Sequence, residues 1–127
     1  MFQSLDLTKM ARAMAAQAGA RLGVIARNVA QADTPGYKAM DLPDFATSYQ
    51  AASTTEMRAT RPGHLAAAGK MMDLVPDPSG GEASPDGNTV SLAREMVKSV
   101  DARQQHDMAL SVYRATSEIV RTSLGRR

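Results

Sequence analysis

Cysteine and tryptophan are absent from this chain of 127 residues, and three Tyr and two Phe are its only aromatics. Without Cys there are no disulfides, thiolate metal sites or Cys nucleophiles, so the fold must hold without staples whatever compartment it occupies. An aromatic content of 4% is too low for base-stacking platforms or for a core built on large rings. Long apolar runs are missing too. Lys9, Arg12, Arg21 and Arg27 interrupt the one Ala-rich stretch, so no membrane insertion is expected. The same charges, with Asp6 ahead of Lys9, spoil Ala16-Gln17-Ala18 as a signal-peptide cleavage site, and an Ala-rich helix explains those residues better. At this length a single domain of modest core is expected, and a large multidomain enzyme is excluded.

Residues that carry chemistry are equally sparse. His64 and His106 have no Cys or second His at ligand spacing and read as ordinary surface side chains, so no metal is expected. Asp41 and Asp44 with Glu56 can be drawn as an acid/base set, but acidic side chains in loops are usually solvated and nothing fixes their separation. Ser79-Gly80-Gly81 runs into Glu82-Ala83-Ser84-Pro85, which offers neither a Lys nor a helix start to a phosphate. No catalytic residue and no cofactor is expected, and the chain does not read as an enzyme.

Charge is unevenly placed. Residues 1–32 and 90–127 are each +3, whereas 33–89 is −4. A nucleic-acid binder would be expected to pool its Arg on one face without such an acidic centre, so no nucleic-acid partner is expected.

What is present points to helices. Nine Met and many Ala suit long, thin helix contacts. Leu7, Met10, Met14, Ala18, Leu22, Ile25, Val29 and Ala32 recur at steps of three and four, which keeps one helix face buried. Ser4 or Asp6 is the expected start of that helix. Asp33-Thr34-Pro35-Gly36 is its stop, since Pro35 lacks an amide hydrogen, Thr34 is biased away from helical angles, and Gly36 suits the positive φ of a type II turn. A second helix follows Ser84-Pro85-Asp86-Gly87-Asn88, with Thr89 or Ser91 as its cap and Glu95 as a first-turn carboxylate. Leu92, Met96 and Val100 form one apolar stripe, and Met108, Val112, Tyr113, Ile119, Val120 and Leu124 another, separated by the polar run 101–107. Gly125, Arg126 and Arg127 supply its stop.

The expected fold is therefore mainly α: long N- and C-terminal helices, over 1–32 and 90–127, packed as an antiparallel coiled-coil-like hairpin within one domain. The segment 33–89 reads as a turn and irregular chain. Met40-Asp41-Leu42 and Met71-Met72-Asp73-Leu74-Val75 leave room for a small β-ribbon. Residues 76–88 hold three of six Pro and three of nine Gly and read as a loop tip or disordered link. Gly19-x-x-x-Gly23 favours a close helix crossing. Asn28, beside the apolar stripe, is placed to fix helix register. An Ala-rich seam between two helices of like charge buries little apolar surface, so the isolated chain should be barely folded and should need further copies.

Ala26-Arg27-Asn28-Val29-Ala30-Gln31-Ala32-Asp33-Thr34-Pro35-Gly36-Tyr37-Lys38 resembles the signature of flagellar rod and hook proteins, with Gln31 where that pattern usually has Asn. The continuation Lys38-Ala39-Met40-Asp41-Leu42-Pro43-Asp44-Phe45, the segment Thr60-Arg61-Pro62-Gly63-His64-Leu65 and Asp86-Gly87-Asn88-Thr89-Val90-Ser91-Leu92 are similar to the FlgB family of proximal rod proteins. Ala102 and His106 stand where that family usually has Asn and Tyr.

The resemblance implies a structural subunit of the flagellar basal body, exported by the flagellar type III apparatus without a cleaved signal. Such a subunit polymerises in the periplasm into the proximal part of a hollow drive shaft. Implied partners are copies of itself, other rod proteins, the rod-to-ring adaptor, the MS-ring protein and, during secretion, the export apparatus. Phe45 and Tyr49 have the spacing of an export signal known in axial relatives. The expected subunit interface is Leu7, Met10, Met14, Leu22, Ile25, Asn28 and Val29 with Met96, Val100, Val112, Tyr113, Ile119 and Val120, and the family-motif turn is Thr34, Pro35, Gly36 and Tyr37. A helical-hairpin adaptor binding one partner helix is the alternative, with a basic helical nucleic-acid binder behind it.

Overall fold

The computed structural model describes residues 2–53, 73–79 and 83–125. Two long helices dominate it, α1 (Phe2–Ala30) and α3 (Leu92–Ser123), and they pack against each other. Between them lie β1 (Met40–Asp41), the short helix α2 (Phe45–Ser53) and β2 (Val75–Pro76). Asn28, near the end of α1, meets Glu95, in the first turn of α3. Arg21 lies farther back along α1 and feels the charge of Asp101, farther along α3, so the helices run antiparallel.

The seam is narrower than the sequence pattern suggests. On α3 the buried residues are Glu95, Ala102, Ala109 and Thr116, one every seven positions. Ala11, Ala18 and Ile25 repeat the same interval on α1 and are buried as well. A seven-residue repeat keeps one line of each helix facing its partner, and Ala on that line lets the backbones approach closely. The large side chains are thereby displaced to the flanks. Of the expected inner stripe, Ala18 and Ile25 are buried, Met14 and Leu22 are half-buried, and Leu7, Met10 and Val29 are exposed. Gly19 and Gly23 make no close crossing within the chain: both are exposed, and a Cβ on either would meet nothing within 4 Å.

Helix ends differ from expectation where tertiary contacts take over. α1 begins at Phe2, before Ser4 and Asp6, because no Gly, Pro or β-branched residue there opposes helix. Ser91 is the N-cap of α3 at φ −110° and ψ 109°, but its side chain makes no capping hydrogen bond. Thr89 does not cap the helix either, since its hydroxyl accepts the Ala39 N–H at 2.9 Å. At the other end Gly125 takes φ 68° and its N–H donates to the Thr122 carbonyl at 3.2 Å, the left-handed stop expected there.

The small ribbon forms. β1 and β2 pair antiparallel, Met40 opposite Pro76 and Asp41 opposite Val75, and the Asp77 N–H extends the ladder to the Ala39 carbonyl at 3.0 Å. The described parts of 33–89 are more regular than their composition suggests. In α2, the Asp44 carbonyl accepts both the N–H and the hydroxyl of Ser48 at 3.0 Å, and the Phe45 and Tyr49 ring centroids lie 5.3 Å apart. Ser, Thr and Tyr are poor helix formers, so nine residues of this composition carry no periodic signal. Glu56, the Thr60–Leu65 segment with His64, Met71, Met72, Gly80, Gly81, Glu82, Arg126 and Arg127 lie outside the described residues.

Candidate functional site: a pinned head and uncovered helix flanks

At the junction of α1, the ribbon and α3, the chain builds a polar hub. Asn28 is fully buried, and each of its side-chain groups is used. Its Nδ2 donates to the Met40 carbonyl at 2.7 Å and to Glu95 Oε2 at 3.1 Å. Its Oδ1 accepts from the Tyr37 hydroxyl and the Met40 N–H, both at 3.2 Å. Glu95, 1% exposed, is ion-paired to Lys98 at 3.3 Å. Lys98 also reaches Asp77 at 2.5 Å and Asp41 at 3.5 Å. Arg21 completes the hub with two bonds to the Asp41 carboxylate, at 2.9 and 2.8 Å.

A buried hub of ions is tolerable only when its members satisfy one another. Among the described residues no buried side-chain nitrogen or oxygen lacks a hydrogen-bond partner. Burial opposes ionisation of Asp41, but the Arg21 hydrogen bonds, the Leu42 N–H and the charges of Arg21 and Lys98 outweigh it and hold the carboxyl below its ordinary range. Burial likewise works against the Asp77 carboxylate, and bonds from Lys98 and Ser79 depress its pKa regardless. For Lys98 burial works against the ammonium, yet Asp77, Glu95 and Asp41 raise its pKa.

The turn after α1 is locked from the other side of the sequence. Tyr37 N–H closes on the Thr34 carbonyl at 3.3 Å with Gly36 at φ 73°, as a type II turn requires. Asn88 Nδ2 donates to the Gln31, Ala32 and Thr34 carbonyls at 3.0, 2.7 and 2.9 Å, satisfying acceptors that the helix end leaves open. The Gly36 N–H donates to Asp86 at 2.9 Å, and the Thr89 N–H to Tyr37 at 3.1 Å. Residues 84–88, expected to be a loop tip or disordered link, are thus docked on the turn, because their backbone supplies the partners that Thr34 to Tyr37 cannot find locally.

The turn forms as its residues predict and Asn28 joins the two helices as the register reading expects, though inside the chain and not on an outer interface, and most of the hub was missed. Glu95 is the first-turn carboxylate of α3 that the sequence leads one to expect, and its burial in the seam is what the sequence did not show. Asp41 and Asp44 form no acid/base pair: Asp41 is locked to Arg21, whereas Asp44 is exposed. The signal available was polar residues at the seven-residue positions of the seam, Arg21 with Asn28 and Glu95 ahead of Ala102. Among the described residues no cluster of His, Asp and Glu is placed to hold a metal ion.

The remaining expected interface residues divide by exposure. Met96 (65%), Val100 (63%), Ile119 (64%) and Tyr113 (40%) stand out of α3, joined by Val97 (62%) and Leu124 (68%). Val112 and Val120 are half-buried. Ile25 and Asn28 are buried inside the chain itself. Ala102, in the otherwise polar run of α3, is fully buried in the seam.

A helical hairpin fixed at one end by a polar hub, with large apolar side chains left on its flanks, is the form of an assembly subunit. No model of a known protein family matches the chain. Curated relatives do. It is 30% identical over 118 residues, 89% of this chain and 88% of the relative, to the flagellar basal body rod protein FlgB of Agrobacterium fabrum. It is 34% identical over 105 residues, 72% of each chain, to that of Escherichia coli K12, and 33% identical over 106 residues to that of Salmonella typhimurium. The chain belongs to the FlgB family of flagellar basal-body rod proteins.

Proposed function

We propose that this chain, a structural subunit of the flagellar basal-body rod, polymerises through α1 and α3 into the proximal part of the hollow drive shaft. The observation that supports this most is the row of large apolar side chains on α3, Met96, Val97, Val100 and Ile119, each more than 60% exposed. Apolar surface of that extent on two helices calls for neighbours that cover it. The residues 1–127 act as one axial domain: α1 and α3 form the shaft-building hairpin, and the hub fixes its angle. No chemical step is required, since burial of the helix flanks is the mechanism.

The partners in this reading are further copies, other rod proteins, the rod-to-ring adaptor and the MS-ring protein. The export apparatus delivers the chain to the periplasm. Among the described residues no helix is long and apolar enough to cross a membrane. A photo-crosslinking amino acid at Met96 or Ile119, in cells lacking the native subunit, tests the reading. Crosslinks to rod components in purified basal bodies, with motility restored, are the expected result. A subunit that restores motility but crosslinks to nothing there would refute the assignment of these flanks. Saturation at one partner per chain would favour the hairpin adaptor instead.

A further inference from the structure

The ribbon has two strands, so each strand is also an edge, and an edge with open N–H and C=O groups invites a further strand from another chain. Along an antiparallel strand, successive residues turn these groups alternately toward the partner strand and away from it. The Asp77 N–H points inward, to the Ala39 carbonyl at 3.0 Å. With Met40 opposite Pro76 and Asp41 opposite Val75, the outward positions are Met40 and Leu42 along β1 and Leu74 and Pro76 along β2, with Pro78 continuing the second line into the turn.

The two edges are closed by different means. On the β1 edge the Met40 N–H and carbonyl are both bonded to the Asn28 side chain, at 3.2 and 2.7 Å, and the Leu42 N–H is taken by Asp41 Oδ1 at 2.8 Å. On the β2 edge Pro76 and Pro78 are exposed and have no N–H to offer. Among the described residues no third strand lies beside β2. Asp77, between the prolines, keeps its N–H for Ala39 and its carboxylate for Lys98. Shifted by one residue, a proline would remove a bond from the ladder instead of a donor from its edge. This edge needs closing, because Leu74 is 41% exposed and the run 71–75 is apolar but for Asp73, a composition that draws strands together.

We propose that Pro76 and Pro78 are edge guards, which keep the ribbon of one copy from adding as a strand to the ribbon of another. Strand addition draws on N–H donors at alternate positions, and the two prolines leave Leu74 as the one outward residue of this line that carries a donor. The ribbon is thereby withheld from association, whichever neighbours cover the helices. Another role for the same residues, reducing the freedom of the unfolded chain, would show in stability and not in association.

The test compares the purified full chain with a Pro76→Thr, Pro78→Thr double variant by sedimentation velocity over a concentration series, with infrared spectra read for intermolecular β-sheet. Thr is polar and a good strand former, so the exchange restores two N–H groups without adding apolar surface. The double variant should associate at least about tenfold more strongly than the unaltered chain, with a β-sheet signal that grows with concentration and with helicity by circular dichroism unchanged. Pro76→Thr alone restores one donor and should fall between the two. Pro85→Thr, which is exposed too but lies outside both strands, should associate as the unaltered chain does. A double variant that associates no more than the unaltered chain, association without added β-sheet signal, or an equal gain from Pro85→Thr would each overturn the proposal. Should the double variant lose helicity, Pro76→Thr alone decides by the same measures.

Discussion

Asn28 and Glu95, 67 residues apart in sequence, meet at 3.1 Å in the buried seam between α1 and α3. One amide thereby binds the end of α1, the first strand and the start of α3. In a seam lined largely by Ala, which accepts neighbouring registers almost equally, this polar contact sets which residues oppose each other.

Asn28→Ala should therefore destabilise the chain by about 2–4 kcal/mol, because it strands the Met40 backbone groups and strips Glu95 of a donor. Glu95→Gln, which keeps an acceptor for Asn28, should cost less than Asn28→Ala. Urea unfolding followed by circular dichroism measures both, and equal losses from the two would show that Asn28 is not the organiser of the hub.

The hub also fixes the response to pH. Asp41 and Asp77 are held below their ordinary value of 3.8. Their contribution is present above that value and is lost as pH falls through the depressed folded values. Lys98 is raised above 10.5, so its contribution is complete below that pH and fades as pH climbs through the higher folded value. Tm should thus be level through the neutral range and drop under acid. Asp41→Asn should flatten the acid limb, and an unchanged acid limb in that variant would remove Asp41 from the account.

Stability should be uneven along the hairpin. The hub ties residues 21–41 to 77–98, while Leu7 and Met10 at the far end of α1 are 40% and 36% exposed, and Ile119 and Leu124 on α3 are 64% and 68% exposed. In hydrogen exchange of the isolated chain, amides near Asn28 and Ala102 should exchange slowest and those near Leu7 and Ile119 at least about tenfold faster, since helix ends with few buried contacts open first. Uniform exchange along both helices would contradict this polarity.

The same division explains what could be read from sequence. Both long helices were legible because their apolar periodicity runs for many turns, and the turn because Pro35 and Gly36 each restrict backbone angles in a known way. The ribbon was visible only as two short apolar runs. Which residues line the seam was not legible, since size is a poor sign of burial here: Leu7, Met10 and Val29, expected on the buried face of α1, are exposed, whereas Ala102 and Ala109 are small and lie inside. In a two-helix chain with large apolar side chains on its flanks, hydropathy cannot separate those flanks from the seam. Lys98, Asp77 and Asp41 were illegible for another reason, as their partnership depends on how three distant segments fold onto one point.

The turn supplies the last prediction. Gly36 at φ 73° and Gly87 at φ 81° sit side by side, a Cβ on Gly87 falling 3.6 Å from the Gly36 Cα. A β-branched side chain at such angles costs on the order of 1–2 kcal/mol or more, and Gly36→Val would impose it where the Asp86 and Asn88 bonds are made. Pro35→Ala leaves an allowed backbone and acts mainly through the freedom of the unfolded chain, about 0.4–1 kcal/mol. Against a fold resting on one hub and a thin seam, the first loss is serious and the second is not. Gly36→Val should be secreted at normal levels, because export does not require the folded turn, yet should fail to restore motility in a strain lacking the subunit, whereas Pro35→Ala should swim. Secretion assayed by immunoblot and swimming in soft agar check the pair, and equal motility from both variants would mean that the left-handed geometry of Gly36 has no part in assembly.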